Sequence, residues 1–182
     1  MKQRQLIIVG ATALAYYGLF QLNLLLFSFA GYSTGVSWVY LPSGLRLVFI
    51  LLFVELGALG IVLASAVISF NQYFSTDYIT ALGASLISGF APWLARLICI
   101  DQLKLHSQLD QLTPGILVKT AIVFSVLSAT MHQLLYSWSG HTENFLKSTS
   151  VMALGDLVGA IVMLYLAKLC LHWLPVPDKK DS

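Results

Sequence analysis

The sequence predicts an all-α integral membrane protein, a bundle of about six transmembrane helices forming one domain over residues 1–182. Of these 182 residues, 58% are hydrophobic and only 10% are charged, whereas about a quarter of a soluble domain is charged. The mean hydropathy is +0.81. So few charges suit short loops between helices and leave no second aqueous domain. The net charge of +2 is too small to indicate a nucleic-acid partner.

The first helix is predicted at about residues 6–29, directly after Lys2 and Arg4. This apolar run is much longer than the roughly 7–15-residue core of a signal peptide, so an uncleaved helix is expected. Its length suits a bilayer that needs about 20 residues per helix. The other predicted segments are about 41–55, 56–72, 79–100, 115–138 and 151–173.

The positive charges predict the orientation of the bundle, because cytoplasmic loops carry an excess of Lys and Arg. These charges lie at the N-terminus, around the 101–114 loop and near the C-terminus, and they are Lys2, Arg4, Arg96, Lys104, Lys119, Lys168, Lys179 and Lys180. Both termini are therefore expected inside. Residues 45–70 must then cross an even number of times, as a tight hairpin turning near Glu55-Leu56-Gly57 or as a re-entrant pair. Each arm has only about 14–16 residues, which is short for a full span.

The stretch Tyr40-Leu41-Pro42-Ser43-Gly44-Leu45-Arg46 places a helix breaker and a cation inside very apolar sequence. A lone ion at membrane depth is costly, so partners are expected. The topology puts Arg46, His132 and Asp156 toward the outer side. We therefore expect Arg46 and Asp156 to pair or to share a water-filled pocket, with His132 near. The predicted outer cluster, a candidate ligand-binding site, consists of Arg46, His132, Asp156, Ser128, Tyr40, Pro42 and Gly44.

A second group of ionisable residues falls toward the inner side. Glu55 is expected within reach of Arg96 or Lys119, again because isolated charges are costly there. Two interpretations of both clusters stay open. The ion pairs can simply fix the register of the helices, or they can line a polar pocket for a small ligand or a proton-linked sensor.

No catalytic or metal-binding motif stands out in the sequence. The chain shows no serine elbow, no His-Glu-x-x-His, no phosphate loop and no Cys/His metal spacing. We therefore expect a protein that is not an enzyme and needs no cofactor or metal. Small-residue stripes predict close helix contacts, either within the bundle or in a homodimer; they are Gly57/Gly60/Ala64, Ser85/Gly89 and Gly155/Gly159.

Two stretches resemble the bacterial membrane-associated sensor domain (MASE-type) family of histidine kinases and cyclic-dinucleotide enzymes. They are Val39-Tyr40-Leu41-Pro42-Ser43-Gly44-Leu45 and Gly155-Asp156-Leu157-Val158-Gly159-Ala160. The resemblance covers about residues 10–170 and implies a sensory module of the bacterial inner membrane. Family members usually have more helices and a cytosolic output domain, and more often a Trp where Tyr40 stands. Because this chain ends at Ser182, the resemblance implies a shortened module that acts through a separate membrane or cytosolic partner.

Two other functions fit a chain of this size. One is a small transport protein, such as the substrate-binding subunit of an energy-coupling-factor vitamin transporter, which also has about six helices. The other is an accessory or assembly subunit of a larger membrane complex that binds no ligand. The sequence identifies neither the ligand nor the partner.

Overall fold

A computed structural model describes residues 2–102 and 114–173 of the chain, with side chains described for 2–99 and 114–169. Helices dominate these residues, and the one sheet described is a two-stranded antiparallel ribbon. The elements in chain order are α1 (Lys2–Phe27), a 3₁₀ turn (Ser28–Ala30), β1 (Gly31–Ser33), β2 (Val36–Ser37), α2 (Leu41–Ile68), a π-helical turn (Ser69–Tyr73), α3 (Tyr78–Arg96), a second π-helical turn (Leu97–Gln102), α4 (Pro114–Trp138) and α5 (Phe145–Trp173).

Five helices among the described residues are long and apolar enough to cross a membrane. The protein is therefore an integral, multi-pass membrane protein. The number differs from the predicted six because Leu41–Tyr73 counts as one continuous apolar helical stretch.

That stretch is nevertheless broken inside α2. Val54 has φ 48° and ψ −113°, which no helix allows. A Cβ added to Gly57 would lie 2.5 Å from the carbonyl oxygen of Phe49, although residues eight apart in a straight helix are separated by about 12 Å. The chain therefore folds back on itself at Val54, one residue before Glu55.

The reversal brings the two arms of α2 side by side. Arg46 on the first arm and Ser69, just after the second, line the same cavity, whereas a straight helix would separate them by about 34 Å. Helix α1 packs against both arms: its Thr12 meets Gly60, and the Asn23 side chain accepts a hydrogen bond of 2.9 Å from the backbone N–H of Leu41.

One end of the bundle, which we call the ribbon end, gathers the ribbon and the turns before α3 and α5. The His141 ring lies 3.1 Å from the Asp77 carboxylate, so the turns at 74–77 and 139–144 meet there. The tip of the ribbon joins them, because a Cβ on Gly35 would lie 3.1 Å from the Tyr136 hydroxyl. The Lys147 ammonium lies 5.3 Å from the centre of the Tyr32 ring, which ties the start of α5 to the ribbon.

Helix α5 begins at Phe145, so the predicted start at residue 151 was wrong. The Asn144 side chain accepts a 3.0 Å hydrogen bond from the backbone N–H of Lys147 and caps the helix. The polar residues that follow look like a loop in sequence. Two of their hydroxyls, on Thr149 and Ser150, instead bond to carbonyls four residues back, at 2.7 Å and 2.8 Å.

The small-residue stripes are used inside the chain. A Cβ on Gly60 would approach Thr12, one on Gly89 would approach Val62, and one on Gly155 would strike the ribbon. Without a hydrophobic driving force in lipid, such close backbone contacts supply the packing energy of a helix bundle. Homodimerisation through these stripes stays a prediction.

Gly57→Ala is expected to destabilise the protein by about 1–3 kcal/mol, the usual cost of overpacking a tight site. The added methyl group would collide with the Phe49 carbonyl at the reversal of α2. Gly18→Ala is the matched control, because a Cβ at Gly18 meets nothing within 4 Å. Unfolding by SDS in mixed micelles measures both variants, and equal stabilities would contradict the reversal.

The Asp77 carboxylate predicts a pH dependence at the ribbon end. Hydrogen bonds from the Thr80 hydroxyl, the Thr80 backbone N–H and the His141 ring lower the pKa of Asp77 to about 2. A lowered carboxylate pKa stabilises the folded state above the unfolded pKa near 3.8, and that stabilisation is lost as the pH falls through about 2.

We therefore expect Asp77→Asn to melt below the wild type at pH 6, and the difference in melting temperature to shrink toward pH 2. The control is Glu143→Gln, a change at an exposed acid of the same end. A difference for Asp77→Asn that stays constant between pH 6 and pH 2 would refute this assignment.

Candidate functional site

The start of α2 and the middle of α5 touch backbone to backbone. A Cβ on Gly44 would collide with the Gly159 carbonyl oxygen, and a Cβ on Gly159 with the carbonyl oxygen of Tyr40. A Cβ on Gly155 would likewise strike the carbonyl oxygen of Ser37. Only glycine permits this approach. These three positions therefore let the turn at Pro42-Ser43-Gly44, the Pro-Ser-Gly turn, pack on the part of α5 that carries Gly155-Asp156, the Gly-Asp helix.

Two polar contacts fix the register of this junction. The Ser43 hydroxyl lies 2.8 Å from the Asp156 carbonyl oxygen and 2.7 Å from that of Tyr40. The Tyr40 backbone N–H also donates to the Gly155 carbonyl at 3.3 Å. Pro42 is buried in the first turn of α2, where its missing N–H costs no helical hydrogen bond.

Arg46 and Asp156 form a buried ion pair beside the junction. Guanidinium Nη2 lies 3.1 Å from carboxylate Oδ1, and each residue is only 1% exposed. The guanidinium also lies over the rings of Tyr40 and Phe124, at 5.5 Å and 5.4 Å from their centres. One hydrogen bond joins the pair. Arg46 Nε and Asp156 Oδ2 are buried without a hydrogen-bond partner among the described residues, so each side chain has an atom that could still form a hydrogen bond.

A cavity of about 40 Å³ opens next to the guanidinium. Its wall carries four phenol rings, from Tyr16, Tyr40, Tyr73 and Tyr136, and the serines Ser65, Ser69 and Ser88. The cavity is larger than the roughly 10–15 Å³ that one buried water requires. The tip of the ribbon, at Gly35, forms part of its wall.

His132 lines the same cavity as Arg46. Its Nδ1 lies 2.8 Å from the Ser128 carbonyl oxygen, and its Nε2 lies 3.3 Å from the Ser88 hydroxyl. Since a carbonyl oxygen only accepts, Nδ1 carries the hydrogen, and in the neutral ring Nε2 accepts from Ser88. The Ser128 hydroxyl is buried as well.

The structure thus brings the predicted outer cluster together: Arg46, Asp156, Tyr40, Pro42 and Gly44 meet at the α2–α5 junction, and His132 lines the adjoining cavity. Ser128 is buried one turn before His132 on α4.

The predicted inner cluster does not form. No ion pair joins Glu55, Arg96 and Lys119 among the described residues, and Glu55 and Lys119 are exposed. Glu55 lies at the reversal of α2, next to Val54, with its side chain exposed. The expectation that it would reach Arg96 or Lys119 was wrong.

Sequence reasoning missed most of the cavity wall. Tyr16, Tyr73 and Tyr136 lie in apolar helices, where a tyrosine is indistinguishable from a packing residue. The serines had one available signal: Ser65 and Ser69 are four residues apart and share a helix face. The reversal of α2 then brings that face to Arg46.

Asp156→Ala is expected to cost about 3–5 kcal/mol of stability, because it leaves the Arg46 charge buried and uncompensated. Combining it with Arg46→Met removes both charges and should recover part of that loss. In a double-mutant cycle, the pair should show a coupling of at least about 1 kcal/mol.

Lys147→Met, at an exposed lysine of the ribbon end, supplies the control background and should be additive with Asp156→Ala. SDS-induced unfolding measures all variants. Additivity of the Arg46 and Asp156 changes would exclude a stabilising pair.

Comparison with known proteins assigns the chain to a family. No curated protein and no solved structure was found to match the chain. The family model of MASE1, a membrane-associated sensor domain, matches residues 9–180 and so includes both the Pro-Ser-Gly turn and the Gly-Asp helix. The chain belongs to the MASE1 family.

Proposed function

We propose that this chain is a sensory module of the bacterial inner membrane that detects a small molecule in the ribbon-end cavity and signals through a separate partner protein. The observation that carries the proposal is the hydroxyl-lined cavity directly beside the buried Arg46–Asp156 pair. Membership in a family of membrane sensor domains supports it. The module performs no chemistry of its own in this proposal.

The proposed topology has six crossings with both termini in the cytoplasm. The reversal of α2 at Val54 supports two short crossings there. Lys2 and Arg4 at one terminus, and Arg96 at the far end of α3, support an inner location for the end opposite the ribbon. Arg46 then lies near the outer side against the positive-inside rule, and its burial with Asp156 offsets the charge.

The ion pair offers a route from the cavity to the partner. Arg46 is on α2 and Asp156 is on α5, so their hydrogen bond joins two helices across the bundle. A ligand that binds differently to the paired and unpaired states shifts the balance between them. We propose that this shift moves α5 relative to α2, and that the partner detects the movement at the inner end of α5.

The test begins with gentle-detergent purification of the chain at native expression and identification of the proteins and solutes that accompany it. A partner with kinase, cyclase or phosphodiesterase activity is the expected result. Its activity is then measured with the wild-type chain, with Ser88→Ala in the cavity wall, and with Leu154→Ala on the exposed face of α5 as the control.

The proposal predicts that Ser88→Ala changes the partner's output at least about twofold while the complex persists, and that Leu154→Ala does not. Equal output from all three proteins would contradict it. Co-purification with an energy-coupling ATPase and a bound solute would favour a transport subunit instead. Loss of the chain whenever a larger complex is absent would favour an assembly subunit.

A further inference from the structure

We propose that the ribbon-end cavity binds a small carboxylate, whose oxygens accept hydrogen bonds from the Arg46 side and from the hydroxyls of the wall. The inference gives a ligand class to the site of the proposed function and rests on that function for its biological meaning. Three observations support it: the volume of the cavity, the charge of Arg46 in its wall, and buried hydrogen-bond donors that have no partner among the described residues.

The size of the cavity limits the ligand to a few heavy atoms. Its volume of about 40 Å³ corresponds to roughly three of the spaces that a single water occupies. The phenol rings supply apolar walls, and Ser65 supplies an unpartnered hydroxyl. The Ser88 hydroxyl already donates to His132, and the Tyr16 and Tyr40 hydroxyls lie 3.1 Å apart, so one of them donates to the other. A short carboxylate, with one apolar end and two acceptor oxygens, matches both properties.

The charge of the wall selects against cations. Arg46 lines the cavity, and no acidic residue does so among the described residues. Asp156 is not among the lining residues, so Arg46 is the member of the ion pair that meets the cavity. Because Asp156 already offsets part of that charge, a monoanion fits better than a multiply charged phosphate.

Unmet hydrogen-bonding groups point to a missing acceptor. Ser65 lines the cavity and is 4% exposed, and its buried hydroxyl has no partner. Arg46 is 1% exposed, and its Nε is also unpartnered. Buried donors without partners destabilise a fold, and a carboxylate in the cavity would supply the acceptor that Ser65 lacks.

A carboxylate bound beside Arg46 would also affect the contact between α2 and α5. A carboxylate at Arg46 competes with Asp156 for the guanidinium, whose Nη2 donates a hydrogen bond to Asp156 at 3.1 Å. Two carboxylates beside one cation repel each other, so the incoming ligand weakens the link between α2 and α5.

The experiment uses the full chain in lipid nanodiscs, with calorimetric titration and thermal unfolding at constant ionic strength. The probes are acetate, propionate, inorganic phosphate, glycerol and tetramethylammonium. Acetate or propionate is expected to bind and to shift the melting temperature. Responses to glycerol or tetramethylammonium as large as those to the carboxylates, a response to phosphate alone, or no response to any probe would each overturn the proposal.

Ser65→Ala separates the ligand site from a structural defect. It removes an unpartnered hydroxyl, so the unliganded protein should melt at the same temperature or higher, while carboxylate affinity falls about tenfold. Thr12→Val is the matched control, because the Thr12 hydroxyl is also buried and unpartnered but does not line the cavity. Equal affinities of the two variants would overturn the assignment.

The outcomes also separate this inference from the proposed function. If no carboxylate binds but Ser88→Ala still alters the partner's output, the ligand class is wrong and the sensory role stands. If acetate or propionate binds with the expected loss in Ser65→Ala, but no partner's output responds, the ligand site stands and the sensory role fails.

Discussion

The attraction between one buried cation and one buried anion organises this bundle. Arg46 and Asp156 are each 1% exposed, and neither charge is tolerable alone at that depth. Their 3.1 Å contact requires the first turn of α2 to lie directly on α5. The glycines at positions 44, 155 and 159 make that approach sterically possible, and the reversal at Val54 then returns the chain so that Ser65 and Ser69 complete the wall around the guanidinium.

The same pair shows what the sequence could predict. Charges are rare in this chain, so Arg46 and Asp156 were natural partners once charge counting put both near one side. Glu55 failed the same argument because its side chain is exposed at the reversal of α2 and pairs with no cation among the described residues. The burial of each side chain therefore decided whether its charge had a partner within the protein. Position in the sequence did not predict that burial at the reversal of α2.

The cavity itself was beyond sequence reasoning. Its tyrosines come from α1, from α4, from the residue before α2 and from the turn that follows α2, and in each segment an aromatic residue suits ordinary packing. What makes them a wall is the fold-back of α2, which brings Tyr40 and Tyr73 to one end although they are 33 positions apart in the chain. The membrane character, the Pro-Ser-Gly turn and the Gly-Asp helix followed from local composition, whereas the cavity depends on long-range geometry.

The separation of the two charges along the chain also sets an order of assembly. Asp156 is synthesised 110 residues after Arg46, so the cation enters the growing bundle long before its partner exists. Until α5 arrives, Arg46 must stay near water at the membrane surface or be shielded by the rings of Tyr40 and Phe124. Docking of α5 is thus the step that buries the cation, and a chain interrupted before α5 has neither the ion pair nor a finished cavity.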